Sequence, residues 1–221
     1  MIKALTFDLW GTLIKGSPNY KEKRADLIRT YKKELTSDEI NLAFNNIKKS
    51  FDENVEKFGI SYNSTYLYSV ILKELGLDDY LAKDIKIRCE SLFVENYPKL
   101  YCEDIPDILY QLSKKYELHL ISNTLLIDGI CLRSIMHKLK IFNYFKSFTF
   151  SDEAGVSKPN YEIFKIAHQK ILYPKENIMH IGDNYNTDEE GAKRYGFNFC
   201  GVNSEKLKYD DIKYLIKNKN L

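Results

Sequence analysis

Hydrophobic and polar positions divide the chain into three stretches of different character. Residues 2–7 are a short apolar run with β-branched and aromatic members, closed by Gly11 and Thr12. That pattern predicts a buried strand running into a tight turn, with a carboxylate at its end. From about residue 19 to residue 96 apolar positions recur at helical spacing, separated by polar stretches such as Lys21-Glu22-Lys23-Arg24, and no strand is predicted. Thr36-Ser37-Asp38-Glu39 offers capping chemistry at the head of a periodic run. Leu75-Gly76-Leu77-Asp78 marks one helix ending before another is capped, so two or more helical hairpins are expected.

After Pro98 strands and helices alternate, with strands predicted over residues 118–122, 147–150, 177–181 and 198–202. Alternation favours an α/β fold with a parallel sheet and right-handed crossovers, and such sheets build their sites at the carboxyl ends of the strands. The division predicts a core domain from residues 1–16 and 98–221, interrupted by an all-helical domain over residues 17–97.

Composition narrows the class without choosing a function. The chain has 221 residues, 44% of them hydrophobic and 29% charged, which fits an ordinary folded protein and excludes disorder or a disulfide-rich miniature scaffold. A net charge of +2, from 33 basic and 31 acidic residues, gives no ground for a nucleic-acid or membrane partner. No stretch is long and apolar enough to span a bilayer, and Lys3 and Asp8 interrupt the first apolar run, so a cytoplasmic protein is expected. Cys89, Cys102, Cys131 and Cys200 are scattered without paired spacings, which predicts reduced thiols in the core. Oligomeric state is not encoded in any of these patterns.

Reactive residues cluster at the predicted strand ends: Asp8 after the first, Ser122-Asn123 after the second, Lys158 beyond the third and Gly182-Asp183 after the fourth. A single Asp at such a place is usually a turn former or a helix cap. Four features brought together by one parallel sheet are a site. Phe7-Asp8-Leu9-Trp10-Gly11-Thr12-Leu13 resembles the first motif of the haloacid dehalogenase superfamily, and Leu120-Ile121-Ser122-Asn123 the second. Gly155-Val156-Ser157-Lys158-Pro159 is similar to the third, and Ile181-Gly182-Asp183-Asn184 with Asp188-Glu189-Glu190-Gly191-Ala192 to the fourth. The resemblance covers residues 1–16 and 98–204, and the helical insert lies where some members carry a cap between the first two motifs.

The resemblance implies a Rossmann-like core with helices on both faces, a helical cap, and a small-molecule substrate, with a phosphoester expected first. It implies Asp8 as nucleophile, with Ser122 and Lys158 as the other catalytic residues. Thr12, Ser122, Asn123 and Lys158 are the implied phosphate-binding set, and Asp8, Asp183 and the Trp10 carbonyl the implied ligands of Mg²⁺. Asp188 is expected behind them, orienting a water or pairing with Lys158, with helix capping as its ordinary alternative. The chemistry is consistent with that set: a carboxylate attacking a phosphoryl group needs cations around the transferring oxygens, and Mg²⁺ takes oxygen ligands.

One position departs from the pattern. Phosphatases of the superfamily carry a second Asp two places after the nucleophile, where it protonates the leaving alcohol, and this chain has Trp10. Loss of such an acid costs roughly 10² to 10⁴ in rate. The dehalogenases carry a bulky aromatic there and release a halide that needs no proton, but they lack the metal-binding Asp of the fourth motif. Mg²⁺-dependent phosphoryl transfer is therefore expected first; a 2-haloacid dehalogenase and a catalytically idle binding module are the alternatives. Lys15, Lys21, Lys23 and Arg24 lie near the first junction, where a solvated helix face is the ordinary expectation and contact with an anionic substrate the other. Tyr62, Tyr66 and Tyr68 line a pocket or, more commonly, pack the helices together.

Overall fold

The computed structural model describes residues 1–202; the end of the expected core domain, residues 203–221, lies outside the described residues. Five strands, β1 (Ala4–Phe7), β2 (Glu117–Ser122), β3 (Phe145–Phe150), β4 (Ile178–Gly182) and β5 (Asn198–Gly201), form one sheet. Their order is β3-β2-β1-β4-β5 and every neighbouring pair is parallel. Each predicted strand is present within two residues of its expected bounds. β3 begins earlier, at Phe145, because a register shift at Leu118/His119 lets Phe145 pair with Leu118.

All four residues of β1 are buried, because helices cover both faces of the sheet. Its side chains alternate accordingly. Leu5 and Phe7 join Leu118, Leu120, Met179 and Ile181 in a cluster beneath α5 (Ile105–Ser113) and α6 (Gly129–Lys138). Ala4 packs with Ile121 and Ile178 against Ile163, Phe164 and Ala167 of α8 (Tyr161–His168) and Ala192 of α9 (Glu190–Tyr195). A short helix, α7 (Ser151–Ala154), follows β3 directly.

Residues 17–97 form α1 (Tyr20–Arg29), α2 (Ser37–Phe58), α3 (Ser64–Glu74) and α4 (Ala82–Glu95). Thr36 and Glu39 close a reciprocal capping box at the start of α2, which ends at Gly59 with φ +63°. These helices bury a cluster of their own, including Ile28, Ile40, Phe44, Tyr68, Ile71 and Ile85. No strand occurs among them, and only Ile60 makes an isolated bridge, to Val156.

Where the insert leaves and rejoins the core, the two connecting segments run side by side. Lys15 N donates to Lys99 O at 2.9 Å and Tyr101 N to Leu13 O at 2.9 Å, an antiparallel bridge centred on Ile14 and Leu100. Rings reinforce the junction: Tyr20 of α1 meets Phe93 of α4 edge-on at 4.7 Å, and Phe93 lies 6.0 Å from Trp10. No described helix is long and apolar enough to cross a membrane. None of the four cysteines is in a disulfide.

Candidate active site

Asp8 follows β1 directly, and its backbone N donates to Ile181 O at 2.9 Å, so the central ladder itself fixes where the carboxylate stands. The chain then turns sharply: Leu13 N and Ile14 N both donate to Leu9 O. Gly11 makes the turn with φ +77°, and a Cβ there would overlap the Asp183 carboxylate. Thr12, wholly buried, donates its hydroxyl to Asp183 Oδ1 at 3.2 Å. At the end of β4 a Cβ on Gly182 would likewise collide with Asp188. Asp188 Oδ2 accepts from Asn184 N at 3.1 Å, and Asn184 Oδ1 caps the following turn by accepting from Asn186 N and Thr187 N.

Lys158 is the centre of charge. It is 1% exposed, and its Nζ donates to Asp8 Oδ1 at 2.5 Å and to Asp188 Oδ1 at 2.6 Å. Burial disfavours the ammonium, but the charges of Asp188 and Asp8 outweigh it and hold the Lys158 pKa above its ordinary value. Burial pushes the Asp8 carboxyl up to about 7, against the pull of Lys158, and the Asp188 charge adds to the rise. Asp188 is also buried, yet Lys158 and a hydrogen bond from His180 hold it well below the usual carboxylate range. Asp183 is more exposed, and burial followed by repulsion from Asp188 raises it.

Asp8, Asp183 and Asp188 each present an oxygen within 4.8 Å of the others. Such a cluster of hard oxygen donors fits a divalent cation that prefers oxygen ligands.

Behind this cluster stands a residue that the sequence reading missed. His180 is fully buried in β4; its Nε2 lies 3.1 Å from Asp188 Oδ1 and its Nδ1 2.8 Å from Thr6 Oγ1. Burial lowers its pKa, so the neutral ring donates to Asp188 and accepts from Thr6. The signal was available: a histidine inside the otherwise apolar run Ile178-Met179-His180-Ile181 requires a polar partner on the inner face.

The expected phosphate-binding set divides in two. Lys158 and Asn123 line the cleft above Asp8, together with Trp10, Asp183 and Asp188. Ser122 and Thr12 do not line it; both are wholly buried, and Ser122 Oγ donates to Asn123 O at 3.2 Å. The Asn123 amide is committed to the Lys158 backbone: Nδ2 donates to Lys158 O at 2.9 Å and Oδ1 accepts from Lys158 N at 2.7 Å. Thr12 thus bonds Asp183, Asn123 bonds the Lys158 backbone, and Ser122 bonds the Asn123 carbonyl. Asp188 pairs with Lys158, and the cap of the turn that contains it is Asn184.

The cleft has a volume of about 480 Å³, with the strand ends as its floor and α1 and α2 on its other side. Arg24 corrects the expected solvated face, because it is buried and lines the cleft, as does the exposed Lys21. Lys15 and Lys23 are exposed and line no part of it. The tyrosines pack: Tyr68 lies edge-on to Phe44 at 5.7 Å, and Tyr62 and Tyr66 surround Phe51.

A family model described as haloacid dehalogenase-like hydrolase matches residues 2–196. A glyceraldehyde 3-phosphate phosphatase of Methanopyrus kandleri is 26% identical over 215 residues, covering 96% of this chain and 88% of its own. Among solved structures, the magnesium-bound HAD-hydrolase YfnB of Bacillus subtilis superposes with a TM-score of 0.75 at 18% identity, covering 98% of this chain and 99% of that one. The L-2-haloacid dehalogenase of Xanthobacter autotrophicus, with chloropropionic acid covalently bound, gives 0.63 at 16% identity over 99% and 83%. The two structures share the fold. With a Rossmann-like sheet, a carboxylate at the end of its central strand and a family match over nearly the whole chain, the protein belongs to the haloacid dehalogenase-like hydrolases.

Proposed function

We propose that this hydrolase is a Mg²⁺-dependent phosphomonoesterase acting on a small molecule through an aspartyl-phosphate on Asp8. The observation that carries it is the triangle of Asp8, Asp183 and Asp188 with Lys158 between two of its corners. Converging carboxylates repel one another and an anionic substrate unless a cation sits among them; attack on carbon needs no such ion, whereas a phosphoryl group brings charge that the ion would neutralise. The phosphatase from Methanopyrus kandleri, similar over most of both chains, supports the same choice.

Asp8, Asp183 and the Trp10 carbonyl would hold the ion, which when bound neutralises charge on the phosphoryl oxygens. Lys158 engages Asp8 Oδ1 and leaves Oδ2 for attack. As the Asp8 Oδ2–P bond forms, the ester O–P bond breaks and the leaving group departs as its oxyanion; water then attacks phosphorus, the Asp8 O–P bond breaks, and inorganic phosphate leaves with the carboxylate restored. Lys158 supplies a fixed positive charge, and Asp188 with His180 and Thr6 keeps its ammonium in place. We further propose that residues 17–97 act as a cap domain, excluding water and selecting the substrate.

The test is a screen of phosphomonoesters and 2-haloacids with Mg²⁺ and with EDTA. Phosphate release that chelator stops is expected. Asp8→Asn should abolish it, and rapid quench of the wild type should trap a covalent adduct on Asp8. Trp10 favours dehalogenation as the second reading, and halide release that resists chelator would establish it.

A further inference from the structure

The cleft above Asp8 contains a buried cation that phosphoryl transfer does not use. Arg24, on α1, is 5% exposed and lines the cleft. Its guanidinium lies 3.7 Å from the centre of the Phe44 ring, and Nη2 donates to Asn41 Oδ1 at 2.9 Å. Nε is buried and has no hydrogen-bond partner. These neighbours are neutral, and Arg24 forms no ion pair among the described residues. Of the other cations of the cleft, Lys158 is matched by Asp8 and Asp188 and Lys48 by Asp52, while Lys21 is exposed to water.

A guanidinium stays charged at any pH at which the protein folds. Held out of water without a counter-charge, it costs stability that a ring face and an amide return only in part. The missing counter-charge is what a ligand of the cleft can supply. Its planar fork of donors suits a carboxylate or a phosphoryl group equally.

We propose that Arg24 anchors a second anionic group of the substrate, so that the protein selects small phosphomonoesters bearing a carboxylate or a further phosphoryl group at their far end. The proposal rests on the phosphomonoesterase reading for the orientation of that substrate, with its scissile group at Asp8. A cleft of about 480 Å³ suits a small metabolite.

Three stable ligands of the same chain length test it: propylphosphonate, 3-phosphonopropionate and propane-1,3-diphosphonate. Binding is measured in Mg²⁺ by calorimetry, or through Trp10, the one tryptophan of the chain and part of the cleft. The wild type is expected to bind at least one of the two far-end anions about tenfold or more tighter than propylphosphonate. Which of the two binds tighter identifies the anion as carboxylate or phosphoryl. Arg24→Met should bring that ratio to within about twofold of unity, and Arg24→Lys, which keeps the charge but not the fork, should retain part of it. Equal affinities in the wild type overturn the proposal even if neither variant folds, as does a ratio that survives in folded Arg24→Met. Wild-type turnover of p-nitrophenyl phosphate reports separately on phosphoryl transfer. Turnover with no preference among the phosphonates sinks the Arg24 anchor alone; an Arg24-dependent preference without turnover sinks the phosphomonoesterase and leaves the anion site standing.

Discussion

At the scale of single residues the site is organised by contacts between side chains distant in sequence. Lys158 meets Asp8 across 150 positions and Asp188 across 30; it pulls both carboxylates down, but burial outweighs it at Asp8 while at Asp188 it prevails together with His180. Trp10 is the residue whose consequence is easiest to measure. Its indole cannot protonate a departing alkoxide, and its ring instead faces Phe93 of α4. The wild type should therefore hydrolyse an aryl phosphate such as p-nitrophenyl phosphate in marked preference to alkyl phosphates, whose leaving groups are far more basic. Trp10→Asp should narrow that preference by raising alkyl turnover, by up to roughly 10²-fold. Comparable wild-type rates on both esters, with no gain in the folded variant, would show that another group delivers the proton.

At the scale of elements, some turns carry chemistry and others carry stability, and two substitutions separate them. Thr36→Ala removes the capping box of α2, far from the strand ends, and should cost about 1 kcal/mol in urea denaturation with Mg²⁺ affinity unchanged. Gly11→Ala puts a methyl group into the Asp183 carboxylate from a backbone at φ +77°, so it should lower Mg²⁺ affinity at least tenfold by calorimetry. Equal effects of the two on metal binding would mean that Gly11 does not set the position of Asp183. The elements themselves were legible because their periods are strong: β1, β2 and β4 stand within two residues of expectation, and the insert is helical from Tyr20 to Glu95. What sequence could not show is which polar side chain is diverted to another. Thr12 and Asn123 matched their motifs, but their partners, Asp183 and the Lys158 backbone, are fixed only when the strand ends converge. Arg24 belongs to a run of charges that reads as a wet helix face, and only packing against α2 turns it inward.

At the scale of the whole molecule, the sheet places two histidines in its interior, and both are neutral when folded. His119 in β2 lies 2.8 Å from Ser147 Oγ, with Glu117 at 3.8 Å; burial, then Lys146, depresses its pKa to about 4. His180 is lowered in the same direction by burial. Because the folded state refuses a proton that the unfolded chain accepts, stability from His119 is complete above about pH 6.5 and is lost as the pH falls toward 4, and His180 acts in the same sense. Asp8, displaced upward, acts in the opposite sense, losing its contribution as the pH rises from about 4 to about 7. Comparison with His119→Asn isolates one histidine: between pH 7 and pH 4.5 the wild type should lose on the order of 2 kcal/mol more than the variant in urea denaturation. Parallel pH profiles would mean that His119 titrates normally.

The paired segments around Ile14 and Leu100 have a consequence for how such a chain can be rebuilt. Both crossings between sheet and helices pass through one short ribbon held by backbone hydrogen bonds, and a ribbon of that kind depends little on which side chains it carries. Residues 17–97 are thus a cassette whose two ends arrive already aligned. Exchanged for the corresponding helices of a relative, with Trp10 and its ring contacts adjusted to the donor, the graft should leave the sheet folded and the metal affinity intact, while the range of accepted esters follows the donated helices.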